Sequence, residues 1–361
     1  MGWYAVRRSL HFAIMFVVLC YMYSLVVETW LEATEKQELY HEAFTLAEGV
    51  LVDPADSASR GAFTEYRRMI YENLLQERGF EGPLLLRVHQ RGLRCLRFDF
   101  GETKTIDTIR GYGNEKTQSV SAVVVESLYP TLMLFGGAYL FQVFLAVRLG
   151  MRAASRPGSL LDRSVALLGV CASSIPVFAV AMSAVLLCAF VVPIVPHAPW
   201  VYRFPSSIAE FGPWLADFLS HYTMPFLVLA AVGLGATAYV VRSISVGVLQ
   251  EDFIRAARAR GLPERRVILG HGLRASAPPI ATLIALGFFA SVWGSLVVEP
   301  IFQWPGIGSL LLAAIRQRDR MLMMGLLVVI TGLYQLGLFG LDLTYALLDP
   351  RIKAGGQPVT S

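Results

Sequence analysis

The amino-acid sequence predicts an all-α polytopic membrane protein with six transmembrane helices, and three observations carry that prediction. Charged residues make up 16% of the 361-residue chain and hydrophobic residues 55%, with a mean hydropathy of +0.53. A water-soluble domain would hold about a quarter charged residues. The apolar residues are gathered into six blocks, at 9–27, 127–150, 164–195, 222–247, 276–299 and 321–348. About 20 apolar residues cross roughly 30 Å of hydrocarbon as a helix, which satisfies its backbone polar groups internally. Finally, the segments between blocks differ sharply in charge, as membrane topology requires.

The first block follows Arg7 and Arg8, like the start of a signal peptide, but no small-residue cleavage site follows near Glu28-Thr29-Trp30. It is read as an uncleaved first span, with residues 1–27 forming the N-terminal tail and that helix. Residues 28–126 form a small external cap between helices 1 and 2. Within it, Glu32–Glu38 continues the first helix. Thr64–Arg78 reads as a second helix, with apolar residues at Tyr66, Met69, Ile70, Leu74 and Leu75 and Gly79 placed to end it. Leu84–Phe100 follows, and Thr103–Ser119 is polar and expected as a loop. The five-helix core occupies 127–350. Its first long block, 164–195, exceeds one straight span, and Pro176 and Pro193 are expected to kink and end it. Residues 351–361 form the tail.

An N-terminus in the cytoplasm places 1–8, 148–163, 242–275 and the tail after 348 inside, with 15 Lys+Arg against 5 Asp+Glu. The region 28–126 then lies outside with 12 Lys+Arg against 17 Asp+Glu. Basic residues in short loops favour the cytoplasmic side, so both termini are assigned there. The net charge of +4 sums these opposite asymmetries and gives no sign of nucleic-acid binding. Cys20, Cys171 and Cys188 fall in apolar blocks, and Cys95 stands alone in its region, so no disulfide framework is expected.

The most regular non-membrane segment lies within loop 248–275, between helices 4 and 5. Phe253, Ala256, Ala257 and Arg260 share one helical face. The alanines keep that helix slim, Asp252 complements its N-terminal dipole, and Gly261 ends it. Pro263 opens a second helix containing Val267, Ile268 and His271. Arginines alone could merely set topology; the alanine pairing and the Gly-Leu-Pro break are what suggest a docking element. Beyond the fifth span, Trp304-Pro305-Gly306-Ile307-Gly308 must turn. Ser309 is expected to cap a short segment from Leu310 to Ile315, with Trp304 at headgroup level. Arg316, Arg318, Asp319 and Arg320 precede the last span.

The run Asp252-Phe253-Ile254-Arg255-Ala256-Ala257-Arg258-Ala259-Arg260-Gly261-Leu262-Pro263-Glu264 resembles the cytoplasmic signature loop of ABC-importer permease subunits, in the dipeptide, oligopeptide and nickel branch. Arg255 stands where the general family has Glu, as is usual in that branch. Pro278-Pro279 takes the place of its Leu-Pro. The segment from Glu299 through Trp304, Pro305, Gly306 and Gly308 is similar to the family's Glu-x-x-Phe-x-x-Pro-Gly-x-Gly. The ending Asp342, Tyr345, Asp349-Pro350-Arg351 is similar to its C-terminal motif. Gly79–Pro83 fits its outer region, and Arg97-Phe98-Asp99-Phe100-Gly101 is similar to microcin C-type peptide permeases in particular. Residues 28–78 and 103–119 depart from the pattern.

The resemblance implies a non-enzymatic permease subunit in the cytoplasmic (inner) membrane, forming half of a pathway for di- or oligopeptides. It implies a homologous second permease, two ATP-binding subunits and an extracytoplasmic binding protein as partners. It also implies an ATPase-coupling site at Asp252, Phe253, Arg255, Ala256, Ala257, Arg260, Gly261 and Glu264, with ATP bound only by the partner subunits. Nickel chelates and microcin-like peptides are the alternative cargoes. Read physically, Asp342 sits near the cytoplasmic end of the last span, in a structural or assembly role. Glu299 ends the fifth span, as an interfacial anchor or an attractor for a peptide amino terminus. Gly233, Gly235, Gly332, Gly337 and Gly340 are packing positions. The histidines are scattered and form no metal-ligand cluster. A secondary transporter would show repeats and midplane charges, a membrane hydrolase its nucleophile or zinc motifs, and a receptor an output domain. The sequence shows none of these.

Overall fold

The computed structural model describes residues 2–48, 57–77, 82–103, 118–192, 200 and 207–348. Pro193, Gly79 and the ending Asp349-Pro350-Arg351 lie outside the described residues, as do 104–117 within the expected loop. The chain divides into two compact units, one of residues 13–101 and one of residues 1–12 with 102–361.

The smaller unit is built on α1 (Gly2–Glu48), α2 (Ser57–Glu77) and α3 (Leu84–Leu96). α1 continues as one helix well past its apolar stretch, Val6–Trp30, so the helix expected at Glu32–Glu38 is present. Its later part packs on α2 through aromatic edges, Tyr40 on Tyr71 at 6.0 Å and Phe44 on Phe63 at 6.0 Å. Arg67 lies over the Tyr40 ring at 4.9 Å, a cation–π contact. α3 runs antiparallel to the earlier part of α1. The buried Glu28 carboxylate accepts from Arg87 at 3.2 Å and pairs with Arg91 at 2.7 Å. Burial holds the Arg91 guanidinium below its usual range.

In the larger unit a two-residue antiparallel pair, β1 (Glu102–Thr103) with β2 (Gln118–Ser119), closes the ends of the segment expected as a plain loop. So short a ladder leaves no periodic signal in a sequence. Then follow α4 (Val120–Ser155), α5 (Leu160–Ser174), α6 (Val177–Val191), α7 (Ile208–Leu249), α8 (Asp252–Ala259), α9 (Leu273–Phe302), α10 (Ile307–Arg316) and α11 (Arg320–Leu348). A short helical turn, Glu264–Arg266, and a wide π-type turn, Val267–Gly272, lead into α9.

Among the described residues, five helices are long and apolar enough to cross a membrane, and up to seven spans result if each of two bent pairs counts as one. One pair is α5 with α6, bent by 88°. Here the expected break at Pro176 occurs: Ile175 adopts the extended φ −101°, ψ 121° that a following proline favours. The other is the end of α9 with α10, bent by 91°, which the sequence reads as a turn and not a span.

α4, α5 and α7 approach closely where side chains vanish. A Cβ at Gly150 would meet the Ala238 carbonyl of α7 at 2.8 Å, and one at Gly235 the Leu168 carbonyl of α5 at 2.8 Å. Small residues at helix contacts permit this approach in membranes. Gly337 likewise lies against the Phe289 ring, whereas Gly340 has open space around it. Asp162, at the start of α5, accepts from Arg242 of α7 in bidentate fashion, at 2.6 and 3.0 Å, and from the Gly158 amide at 2.9 Å. Arg242 therefore has a structural partner beyond the topological role its charge suggests.

Candidate functional site

Two polar constellations stand out against the apolar helices: the basic loop around α8 and the turn between α9 and α10. The loop begins where α7 ends. α8 carries Asp252 in its first turn and Arg258 in its last, both suited to the helix dipole. Ile254 and Ala257 are 0% and 1% exposed and pack with Ala154, Leu249 and Val267. The face predicted to be free therefore loses Ala257, which is turned into the chain's own core with Ile254. The apolar pair at i and i+3 carried that signal, but the neighbouring alanines masked it.

Phe253 is 46% exposed, and Ala256, Arg255 and Arg260 are exposed with it. The helix stops at Gly261, whose φ of +74° is the left-handed conformation the sequence reading assigned to it. Arg258 donates to Glu264 across the turn, at 2.9 and 3.3 Å. That bond holds the Arg258 guanidinium above its usual range. Pro263 precedes the next helical turn and its carbonyl accepts from the Arg266 amide at 2.8 Å. The result is a short helix anchored on one side, clamped at its end, and displaying an aromatic ring among arginines.

The second constellation centres on Glu299, which is fully buried near the end of α9. One carboxyl oxygen accepts from the Thr131 hydroxyl of α4 at 2.6 Å. The other accepts from the backbone amides of Gly308 at 2.7 Å and Ser309 at 3.2 Å. The Thr131 oxygen in turn accepts from the Ile307 amide at 2.9 Å. These are the orphan amides at the N-terminus of α10, and a carboxyl group placed there satisfies them and complements the dipole. Glu299 is thus neither an interfacial anchor nor exposed to a peptide amine. Nor does Ser309 cap α10: it lies inside the helix and its hydroxyl donates to the Trp304 carbonyl at 2.7 Å.

Trp304 is buried rather than at a headgroup surface. It stacks on Trp200 with centroids 4.8 Å apart, and its indole N–H donates to the Pro130 carbonyl at 2.9 Å. Gln303 takes the left-handed conformation that ends α9, at φ 54°. A Cβ at Gly306 would collide with both the Glu299 carboxyl and the Thr131 hydroxyl, which explains the glycine there. Pro305 completes the turn. Thr131 and Trp200 are the members that sequence reasoning missed, because each is brought in from a distant segment.

Of the C-terminal motif, Asp342 pairs with Arg8 of α1 at 3.2 Å. Tyr345 falls within helix α11; its side chain, like Asp349, Pro350 and Arg351, lies outside the description. A cavity of about 240 Å³ opens between α4, α7 and α9, where Tyr139, Gln142 and Ser291 add polar groups to apolar walls. Gln142 fills the space that a side chain at Gly233 would take. Among the described residues no three His, Cys, Asp or Glu side chains converge as a metal site.

Apolar helices long enough to cross a membrane, joined by an exposed and clamped loop, form the frame in which a membrane component is to be sought. Residues 146–354 match the family of binding-protein-dependent transport system inner membrane components, and the chain belongs to that family. It is 30% identical over 243 residues to the oligopeptide transport system permease protein AppB of Bacillus subtilis, covering 66% of this chain and 73% of that protein. It is 29% identical over 317 residues to the probable D,D-dipeptide transport system permease protein DdpB of Escherichia coli, covering 84% and 90%. It is 30% identical over 304 residues to the glutathione transport system permease protein GsiC of Salmonella paratyphi A, covering 83% and 90%. The chain is a multi-pass permease component of the inner membrane and not an enzyme.

Proposed function

We propose that this chain is the permease subunit of an ATP-driven importer of di- or oligopeptides, and that α8 is the element through which separate ATP-binding subunits drive it. The single observation behind the coupling role is the two-sided character of α8. Ile254 and Ala257 fasten it to the chain's own core, while Phe253, Ala256 and Arg260 face outward. A push on the exposed side therefore reaches α4 and α7 through packed contacts, and through Val267 the turn that leads into α9. Only contacts that differ between the inward-open and outward-open states can bias that equilibrium. The clamp at Gly261 and Glu264 keeps the helix from slipping. In this reading both termini and α8 lie in the cytoplasm, in line with the distribution of basic residues. A second, related permease supplies the other half of the pathway, and an extracytoplasmic binding protein delivers the peptide. Tyr139, Gln142 and Ser291 are the pathway-lining groups. Peptide cargo is inferred from the names of the relatives.

A photoreactive phenylalanine at position 253 in the assembled complex tests the docking role. It should capture an ATP-binding subunit; labelling of lipid alone overturns it. Uptake of labelled di- and oligopeptides by a deletion strain carrying this chain tests the cargo. Restored nickel-chelate uptake without peptide uptake would replace peptide as the cargo.

A further inference from the structure

We infer that Cys20 of α1 and Cys95 of α3 form a disulfide-bonding site that ties these two helices together. The sequence separates the two residues and leaves Cys95 isolated. The antiparallel pairing of α3 on α1 removes that isolation. Three contacts set the register independently of the cysteines. Glu28 meets Arg87 and Arg91. Tyr21 meets His89 at 3.0 Å and lies against Gly92. Phe16 stacks on Phe98 with centroids 5.9 Å apart. Numbers fall along α1 as they rise along α3, so Cys20 comes level with Cys95, between the Tyr21 and Phe16 contacts.

Both cysteines are 0% exposed, and each is the neighbour that most perturbs the other's thiol. The helices are close at this level. Gly92 sits one turn from Cys95 on the same face, and a Cβ there would already press on the Tyr21 ring at 3.0 Å. Disulfides need Cα atoms about 4.4–6.8 Å apart, which only closely packed elements supply. In the orientation proposed above Cys20 lies just past the middle of the first span and Cys95 in the extracytoplasmic region, the side on which disulfides form and persist.

The bond forms by exchange with a disulfide-bearing oxidant. The thiolate of one cysteine attacks the oxidant's disulfide, giving a mixed disulfide and releasing one oxidant thiol. The second cysteine thiolate then attacks the protein sulfur of that mixed disulfide, forming the Cys20–Cys95 bond and releasing the second oxidant thiol. The two protein thiols are oxidised, the oxidant is reduced to a dithiol, and the two protein protons end on it. The neighbouring Cys20 thiol and burial hold the Cys95 thiol above its usual range. Exchange is therefore fastest before α3 docks or when the pair opens.

The test uses the full-length chain, unsubstituted, in its native membranes. Membranes are incubated with oxidised glutathione, denatured in excess maleimide, digested and analysed by mass spectrometry. The expected product is one linked peptide pair, joined at Cys20 and Cys95 and two hydrogens lighter than its parts, which separates on reduction. Recovery of the two peptides apart, as maleimide or glutathione adducts, overturns the inference. A register-shifted chain carrying Cys95→Ser and Leu93→Cys should show no linked pair. Equal linkage in it would also overturn the assignment, since random collision would then suffice. Peptide uptake plays no part in this readout, so the site and the importer reading stand or fall separately.

Discussion

The turn at 299–309 and the loop at 252–264 are both helix–turn–helix elements rich in signature residues, yet they are built in opposite ways. In the turn the polar groups of Glu299, Thr131 and Trp304 face inward. Glu299 and Thr131 take up the amides of Ile307, Gly308 and Ser309, and Trp304 is stacked and hydrogen-bonded. In the loop only Ile254 and Ala257 are buried, and the charges point outward. The first arrangement holds a shape; the second offers a surface. The comparison teaches that motif residues in one chain can serve unlike physical roles. The turn is thereby suited to stability, and the loop to the communication proposed for it above.

The largest expected effect breaks the turn. Glu299→Ala leaves the Thr131 hydroxyl and two backbone amides without their acceptor, at a cost of about 3–5 kcal/mol. Thermal unfolding in detergent should show it, along with a sharp fall in membrane yield. Glu299→Gln keeps one acceptor oxygen and should cost about half as much by the same reasoning. If Glu299→Ala unfolds like wild type, the turn is not the rigid element described. Next comes the Asp162–Arg242 pair. Arg242→Ala strips a buried carboxylate of its bidentate partner, for about 3 kcal/mol. A double-mutant cycle with Asp162→Asn should return most of that as coupling energy.

Smaller effects on stability should accompany larger effects on transport in the loop. Gly261→Val meets open space, so no clash arises; the cost comes only from the left-handed backbone, about 1–2 kcal/mol. We expect insertion to survive and uptake to fail. Gly261→Asn, which tolerates that backbone, should retain uptake. Normal uptake by the valine variant would remove the coupling role. Phe253→Ala should change stability by under about 0.5 kcal/mol while lowering transport-coupled ATP hydrolysis in the reconstituted complex. A comparably small effect belongs to Arg258→Ala, which removes a half-exposed ion pair worth about 0–1 kcal/mol. A loss of stability there larger than for Glu299→Ala would invert the comparison.

Legibility in the sequence followed the range of the interactions. The helix break at Pro176 and the turn at Gly261 are local backbone preferences, and both appear where the residues demand them. The α8 helix was legible for the same reason, including its Asp252 start. What was not legible depended on distant partners. Ala257 looks like its neighbours in sequence and differs only because Ala154 and Val267 cover it. Trp304 reads as an interfacial aromatic until Trp200 stacks on it. Glu299 reads as a surface charge until Thr131 and the start of α10 close around it. Spacing alone leaves Cys95 without a partner.

The sequence by itself determined the membrane-spanning helical class, the position of the basic loop and its break, and the resemblance that the family match then bore out. The class and the loop follow from composition, period and backbone propensity, which each segment carries independently of the others, and the resemblance rests on the motifs and their order. Only the tertiary structure decided which side of α8 is free, what the Glu299 carboxyl holds, which residue Arg242 serves and which thiol faces Cys95. These depend on segments far apart in the chain arriving at one place. Burial and hydrogen-bond satisfaction are properties of that meeting and not of any one stretch of residues.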